Sequence, residues 1–194
     1  MNPINARFIS PDMRRFLYIA AVCLLAILVV GRRTRLLGGP KAYPPLTIES
    51  LRNAAYFDDV FAREGIRLTE GLFESRETPA TYRKVGLEKA AFGDMDGKPE
   101  TKEAAVLLWT NTGGTGNFRF ICILAPGPKG DPQWLASTHA SIGDRIKVQD
   151  FRIVDGKVVL DALIHGPKDP MCCPTVSSRL VFRLDGRKLV KVQP

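Results

Sequence analysis

The chain has 194 residues, 45% hydrophobic and 25% charged, with a formal net charge of +8. That length and ordinary globular composition allow one domain plus an appendage. The charge is not a nucleic-acid signal. Residues 1–39 hold Arg7, Arg14, Arg15, Arg32, Arg33 and Arg35 against the acid Asp12, whereas residues 40–194 hold 22 basic and 19 acidic side chains. The excess is N-terminal, and no Lys/Arg run interleaved with aromatics follows it, so no nucleic acid is expected as a partner.

Phe16–Val30, "FLYIAAVCLLAILVV", is uncharged and apolar, and is fenced by Arg14–Arg15 and Arg32–Arg33. A bilayer core asks for about 20 apolar residues, and about 17 at the least. Flanking arginines that snorkel make up part of the deficit. "LVVGRR" lacks the small-residue pattern of a cleavage site. Val22 stands where a lipoprotein needs a small residue before Cys23. The reading is therefore a transmembrane signal-anchor over residues 16–31, which makes the membrane a partner. Residues 1–15 are expected to be a cytoplasmic N-terminus, 32–45 a linker and 46–194 an extracytoplasmic β-domain. Met13 directly precedes Arg14–Arg15, as in a natural n-region, so residues 1–12 are expected not to be translated. The Lys/Arg balance around the span is three before and four after, Lys41 included, and does not set the orientation.

The linker ends in "LLGGPKAYPP". Thr47 can then cap a short helix from Ile48, and Gly65 can end whatever helix precedes it. Strand-like text starts at Ile66, with "IRLTEGLFES" and "TYRKVGLEKAAF". "EAAVLLWT", "NTGGTG" and "NFRFICIL" predict a hairpin in which Phe118, Phe120, Cys122 and Leu124 share a face. "QWLASTHA", "RIKVQDFRI", "KVVLDALIH", "RLVFRL" and "KLVKV" follow. "VDGK" and "LDGR" are Asp-Gly hairpin signals. Ile146 and Val148 occupy one parity and Phe151 and Ile153 the other, which predicts a β-bulge near Gln149–Asp150. About nine short strands indicate a mainly β domain, an antiparallel sandwich or barrel-like sheet with a short N-terminal helical segment.

Three segments could carry chemistry. "FGDMDGKPETKEAAVLL" places Asp94 and Asp96 around a glycine turn, with Glu103 as a closing acid. Calcium wants six to eight oxygens, several from carboxylates. Lys98 stands where a third acid belongs and Pro99 where glycine does, so a solvated acidic turn is the plainer reading. "NTGGTGN" has no following Lys-Ser/Thr or helix, and reads as a hairpin loop rather than a phosphate cradle. "GPKDPMCCP" sets Cys172 beside Cys173. Adjacent cysteines serve zinc poorly, even with His139 or His165. Outside the cytoplasm a disulfide is favoured, either Cys172–Cys173 or one of the two with Cys122. No Gly-x-Ser-x-Gly motif is present, the histidines have no evident nucleophile, and no catalytic residue is assigned.

The order "GDMDG…EAAVLL…NTGGTG…GDRIKV…VDGKVVLDALIHGPKDPMCCPT…RLDG" resembles an uncharacterised domain of bacterial, including cyanobacterial, secreted proteins and lipoproteins. The likeness spans about residues 46–190, and Gly166–Thr175 is its most specific part. The acidic loop is similar to FG-GAP and dockerin-type calcium loops, but departs from them at Lys98 and Pro99. The resemblance implies an extracytoplasmic β-domain of the cell envelope and assigns no activity. Two functions are therefore expected to compete. One is a binding or envelope-interaction module on the bacterial inner membrane, with an envelope protein or ligand as partner and no cofactor. The other is a metal-dependent or thiol-based enzyme using Asp94 and Asp96, with calcium, or Cys172 and Cys173.

Overall fold

The computed structural model describes residues 43–58, 62–76, 82–98, 100–138 and 141–193. Residues 1–15, the apolar span 16–31, most of the linker and His139 lie outside them. Among the described residues, no helix is long and apolar enough to cross a membrane.

The protein is mainly β, with one short helix and a sheet curled into a half-barrel. Helix α1 (Ile48–Arg52) starts where the sequence places it. The Thr47 hydroxyl accepts the Ser50 N–H at 3.1 Å, and Ser50 Oγ accepts the Thr47 N–H at 3.0 Å, closing a capping box. Next come β1 (Ala55–Asp58) and β2 (Ala62–Arg67), paired antiparallel in a two-stranded sheet. The expectation that Gly65 ends a helix is thereby corrected. Gly65 lies within β2 at φ +75, and a Cβ there would strike the Phe57 ring.

The large sheet is built from β3 (Leu72–Ser75), β4 (Arg83–Gly93), β5 (Glu103–Asn111), β6 (Phe118–Pro126), β7 (Pro132–Ser137), β8 (Gly143–Asp144), β9 (Lys147–Val154), β10 (Lys157–Ile164), β11 (Val176–Asp185) and β12 (Lys188–Val192). Its order is β3-β4-β5-β6-β7-β12-β11-β10-β9, with β8 on β6. The pairing is antiparallel except between β7 and β12, which meet in parallel at Ser137 and Lys188. "IRLTEGLFES" is not one strand. Glu70 (φ +53) and Gly71 (φ +86) make a turn between β2 and β3.

Two of the local signals fall where expected. Asp155 (φ +49) and Gly156 (φ +69) form the turn between β9 and β10, with the two positive angles of a type I′ turn. The β9–β10 register slips so that Asp150 faces Asp161 and Val148 faces Ala162, which leaves Gln149 as the bulge. The second Asp-Gly turn is one residue later than the dipeptide suggests. Asp185 still pairs with Lys188, and Gly186 (φ +59) and Arg187 make the turn.

The inner face of the curl buries Ala105, Leu107, Ile121, Ile123, Phe151, Val158, Leu160 and Phe182. The outer face of β4–β6 is also buried. Val85, Ala104, Val106, Leu108, Cys122 and Leu124 pack under Leu51, Tyr56 and Leu68 from the N-terminal helix and hairpin. Tyr56 anchors that cover, because its buried hydroxyl donates to the Leu51 carbonyl at 2.8 Å. At the far end, β9 packs against β4 without a hydrogen-bonded ladder, and a Cβ on Gly93 would meet Ile153.

The outer face of β9–β11 carries a charge network. Asp161 accepts from Arg179 Nε at 2.7 Å and from Arg152 at 2.8 Å, and Arg152 also holds Asp150. Arg179 first, then Arg152, lowers the Asp161 pKa to about 2. A depressed carboxylate contributes stability above its unfolded pKa of about 3.9 and loses it as the pH falls through the folded value. The network is solvated, so Asp161→Asn is expected to cost about 1 kcal/mol or less at neutral pH. In urea titrations the cost should shrink in molar salt and vanish near pH 2.

Candidate functional site

The acidic loop is cross-braced by its own chain. Asp94 Oδ1 accepts the N–H groups of Gly97 (2.7 Å) and Lys98 (3.1 Å). Asp96 Oδ1 accepts the Lys98 N–H at 3.1 Å, and the Lys98 ammonium sits 2.5 Å from Asp96 Oδ2. Glu103 opens β5 and is only 1% exposed. Its Oε2 accepts the Met95 N–H at 2.8 Å, tying the loop to the sheet. Burial raises the Glu103 pKa, Asp96 and Asp94 add to the rise, and the Met95 amide opposes it. Carboxylate oxygens of Asp94, Asp96 and Glu103 lie within 4.8 Å of one another, and among the described residues this is the only such His/Cys/Asp/Glu group compact enough for an ion. Lys98 places a cation against it from the chain itself.

The "NTGGTGN" loop joins β5 to β6. Asn111 braces it, donating through Nδ2 to the carbonyls of Gly114 (2.9 Å) and Gly116 (2.7 Å) and accepting the Gly113 N–H at 2.9 Å. At its far end the Asn117 N–H donates to Asp144 Oδ1 at 2.7 Å, and the Arg145 N–H donates to the Asn117 carbonyl at 2.7 Å. These bonds hold Arg145 at φ +46, a left-handed angle that costs a non-glycine residue about 1 kcal/mol or more.

Cys172 and Cys173 stand at disulfide distance from each other. Cys122 is buried on the outer face of β6, among the residues under the N-terminal cover. Asp169 organises the cysteine loop. It accepts the N–H groups of Gly166 (2.9 Å) and Thr175 (2.7 Å) and the Thr175 hydroxyl (2.8 Å). The Gly166 amide is the largest of the causes that lower its pKa. Both ring nitrogens of His165 are buried without a hydrogen-bond partner, and no compact ligand group joins His165 to the cysteines among the described residues.

The Cys172–Cys173 pair forms part of the wall of a pocket of about 510 Å³. Pro174, Leu163, Val148 and Ile146 line it with the cysteines, and Glu88, Arg119, Arg145 and Lys147 supply charge. Glu88 is the bulged residue of β4, since the β4–β5 register slips between Leu87 and Lys89. A bulge re-aims a side chain, and Glu88 Oε2 meets Arg119 Nε at 3.0 Å. Arg145 forms a two-pronged pair with Asp144, through Nε (3.1 Å) and Nη2 (2.7 Å). Sequence reading assigned none of these four charged residues to a site. The available signal was that "GDRIKV" and "GPKDPMCCPT", both segments of the resemblance, come together here. Protein-family models, curated proteins and solved structures contain no match to this chain.

Proposed function

We propose that the chain is a single-pass protein of the bacterial inner membrane, anchored through residues 16–31, whose extracytoplasmic β-domain is a binding module without catalysis. The supporting observation is the Cys172–Cys173 pair at disulfide distance on the wall of a charged pocket. Disulfides persist in oxidising compartments, which favours the extracytoplasmic side. Glu88 and Arg119 pair within the pocket and Arg145 is held by Asp144 beside it, so the charged groups are fixed in place, an arrangement suited to recognition. The partner is an envelope protein or ligand. The acidic loop is read as a structural clasp, with Lys98 serving in place of a metal cation.

In protein taken from native membranes, Cys172 and Cys173 are expected to accept an alkylating reagent only after reduction, read by intact mass and peptide mapping. Full alkylation of both without reductant would overturn the oxidised, extracytoplasmic reading. Stoichiometric calcium or zinc retained after dialysis would favour the metal-dependent alternative instead.

A further inference from the structure

We propose that the pocket beside the disulfide binds a singly charged oxyanion carried on a short apolar stem. This rests on reading the domain as a binding module, and it adds the chemistry of the ligand. The charge comes first. Arg119 is paired with Glu88, and Arg145 with Asp144. Lys147 lines the same pocket and has no ion pair among the described residues. One positive charge is left over, and one negative charge balances it.

The donors suit an oxyanion. Arg119 spends Nε on Glu88 and Nη1 on the Asn117 carbonyl, and Arg145 spends Nε and Nη2 on Asp144. A guanidinium carries five N–H donors, so both keep some for a ligand, and a carboxylate or phosphodiester offers matching acceptors. The left-handed backbone at Arg145 is held by the Asn117 carbonyl, and the residue lines the pocket. Such strain at a non-glycine residue clusters at binding sites.

The remaining wall is apolar. Val148, Leu163, Pro174 and the two cysteines make up the rest of the lining. Sulfur is soft and polarisable, and joined cysteines present it without a thiol proton. An inorganic anion would leave that wall wet. An alkyl or other apolar stem covers it.

The test uses the full chain in a nonionic amphipol, titrated calorimetrically with hexanoate, acetate and hexanol. Hexanoate should bind, and acetate and hexanol should each be at least about tenfold weaker, since one lacks the stem and the other the charge. Lys147→Gln and Arg145→Asn should each weaken hexanoate by about tenfold. Asparagine tolerates the left-handed angle, so the second variant keeps the fold, with thermal unfolding as the check. Nanodiscs separate the two sources of such a group. If the natural ligand is a lipid phosphodiester, phosphatidylglycerol discs suppress hexanoate binding and phosphatidylcholine discs do not. If it is a soluble carboxylate, both discs leave binding equal. Either result supports the proposal. Hexanol binding as tightly as hexanoate, with Lys147→Gln silent, would overturn the oxyanion and leave the binding-module reading standing. No binding of hexanoate or hexanol would overturn the ligand proposal and leave the binding-module reading to a protein partner.

Discussion

Leu107→Ala is expected to destabilise the domain by about 3–4 kcal/mol, and its neighbour Leu108→Ala by about 2–4 kcal/mol. Leu107 is fully buried on the inner face, where it packs in one cluster with Ile121, its partner across the sheet. Leu108 points the other way and is only 4% exposed, beneath the N-terminal helix and hairpin. In a strand with one wet face, truncating the second of two consecutive residues is nearly neutral, because its methyl groups were in water already. Here both truncations remove buried contacts and leave a cavity. Urea denaturation of the two variants measures the difference. A Leu108→Ala cost below about 0.5 kcal/mol, the usual range for a surface substitution, would show that the N-terminal cover does not seal that face.

Glu103→Ala is expected to cost about 3 kcal/mol, whereas Glu103→Gln should stay within about 1 kcal/mol of the parent at neutral pH. Alanine leaves the Met95 N–H buried without an acceptor and opens space at the root of the acidic loop. Glutamine keeps a carbonyl acceptor in place and removes the charge that burial opposes. The direction with pH follows from the raised pKa. Between the unfolded value of about 4.3 and the higher folded value, the native state binds more protons than the unfolded chain. Parent stability therefore falls as pH rises through that window, and Glu103→Gln should lack this fall. Chemical denaturation between pH 4 and 8 resolves it. A glutamine variant as unstable as the alanine variant would mean that the carboxylate charge itself, and hence a cation facing it, is needed.

Local rules account for much of the fold. Thr47 announced its helix, Asp155–Gly156 its hairpin, and the parity change from Val148 to Phe151 the bulge at Gln149. Each depends on a few adjacent residues and their backbone angles. The N-terminal hairpin was not legible. "LRNAAYFDDVFAREG" spaces its apolar residues much as a short helix does, and Gly65 looks like its stop signal. What decides the matter is the apolar outer face of β5 and β6, which needs a cover that pairing Ala55–Arg67 provides. The unbroken apolar run in "EAAVLL" was the available clue, because a half-buried strand alternates and a strand buried on both sides does not.

The candidate sites divide in the same way. The closeness of Asp94, Asp96 and Glu103 could be read from their spacing, since one loop and one strand start supply all three. The pocket could not. Glu88 comes from a bulge, Arg119 from a strand start, Arg145 from the link between β8 and β9, Lys147 from the first position of β9, and the cysteines from a loop beyond β10. Only the curl of the sheet assembles them.

That curl stops short of closure. Glu88–Gly93 of β4 and the outer edge of β9 face each other through side chains such as Ile153 rather than through a shared ladder. Along that line the wall is held by side-chain packing alone, while the β8–β6 pairing and the Arg145–Asn117 bond tie the start of β9 back to the sheet. Glu88 stands on one side of the line and Lys147 and Val148 on the other, so the width of the gap also sets the spacing of the pocket's charged groups.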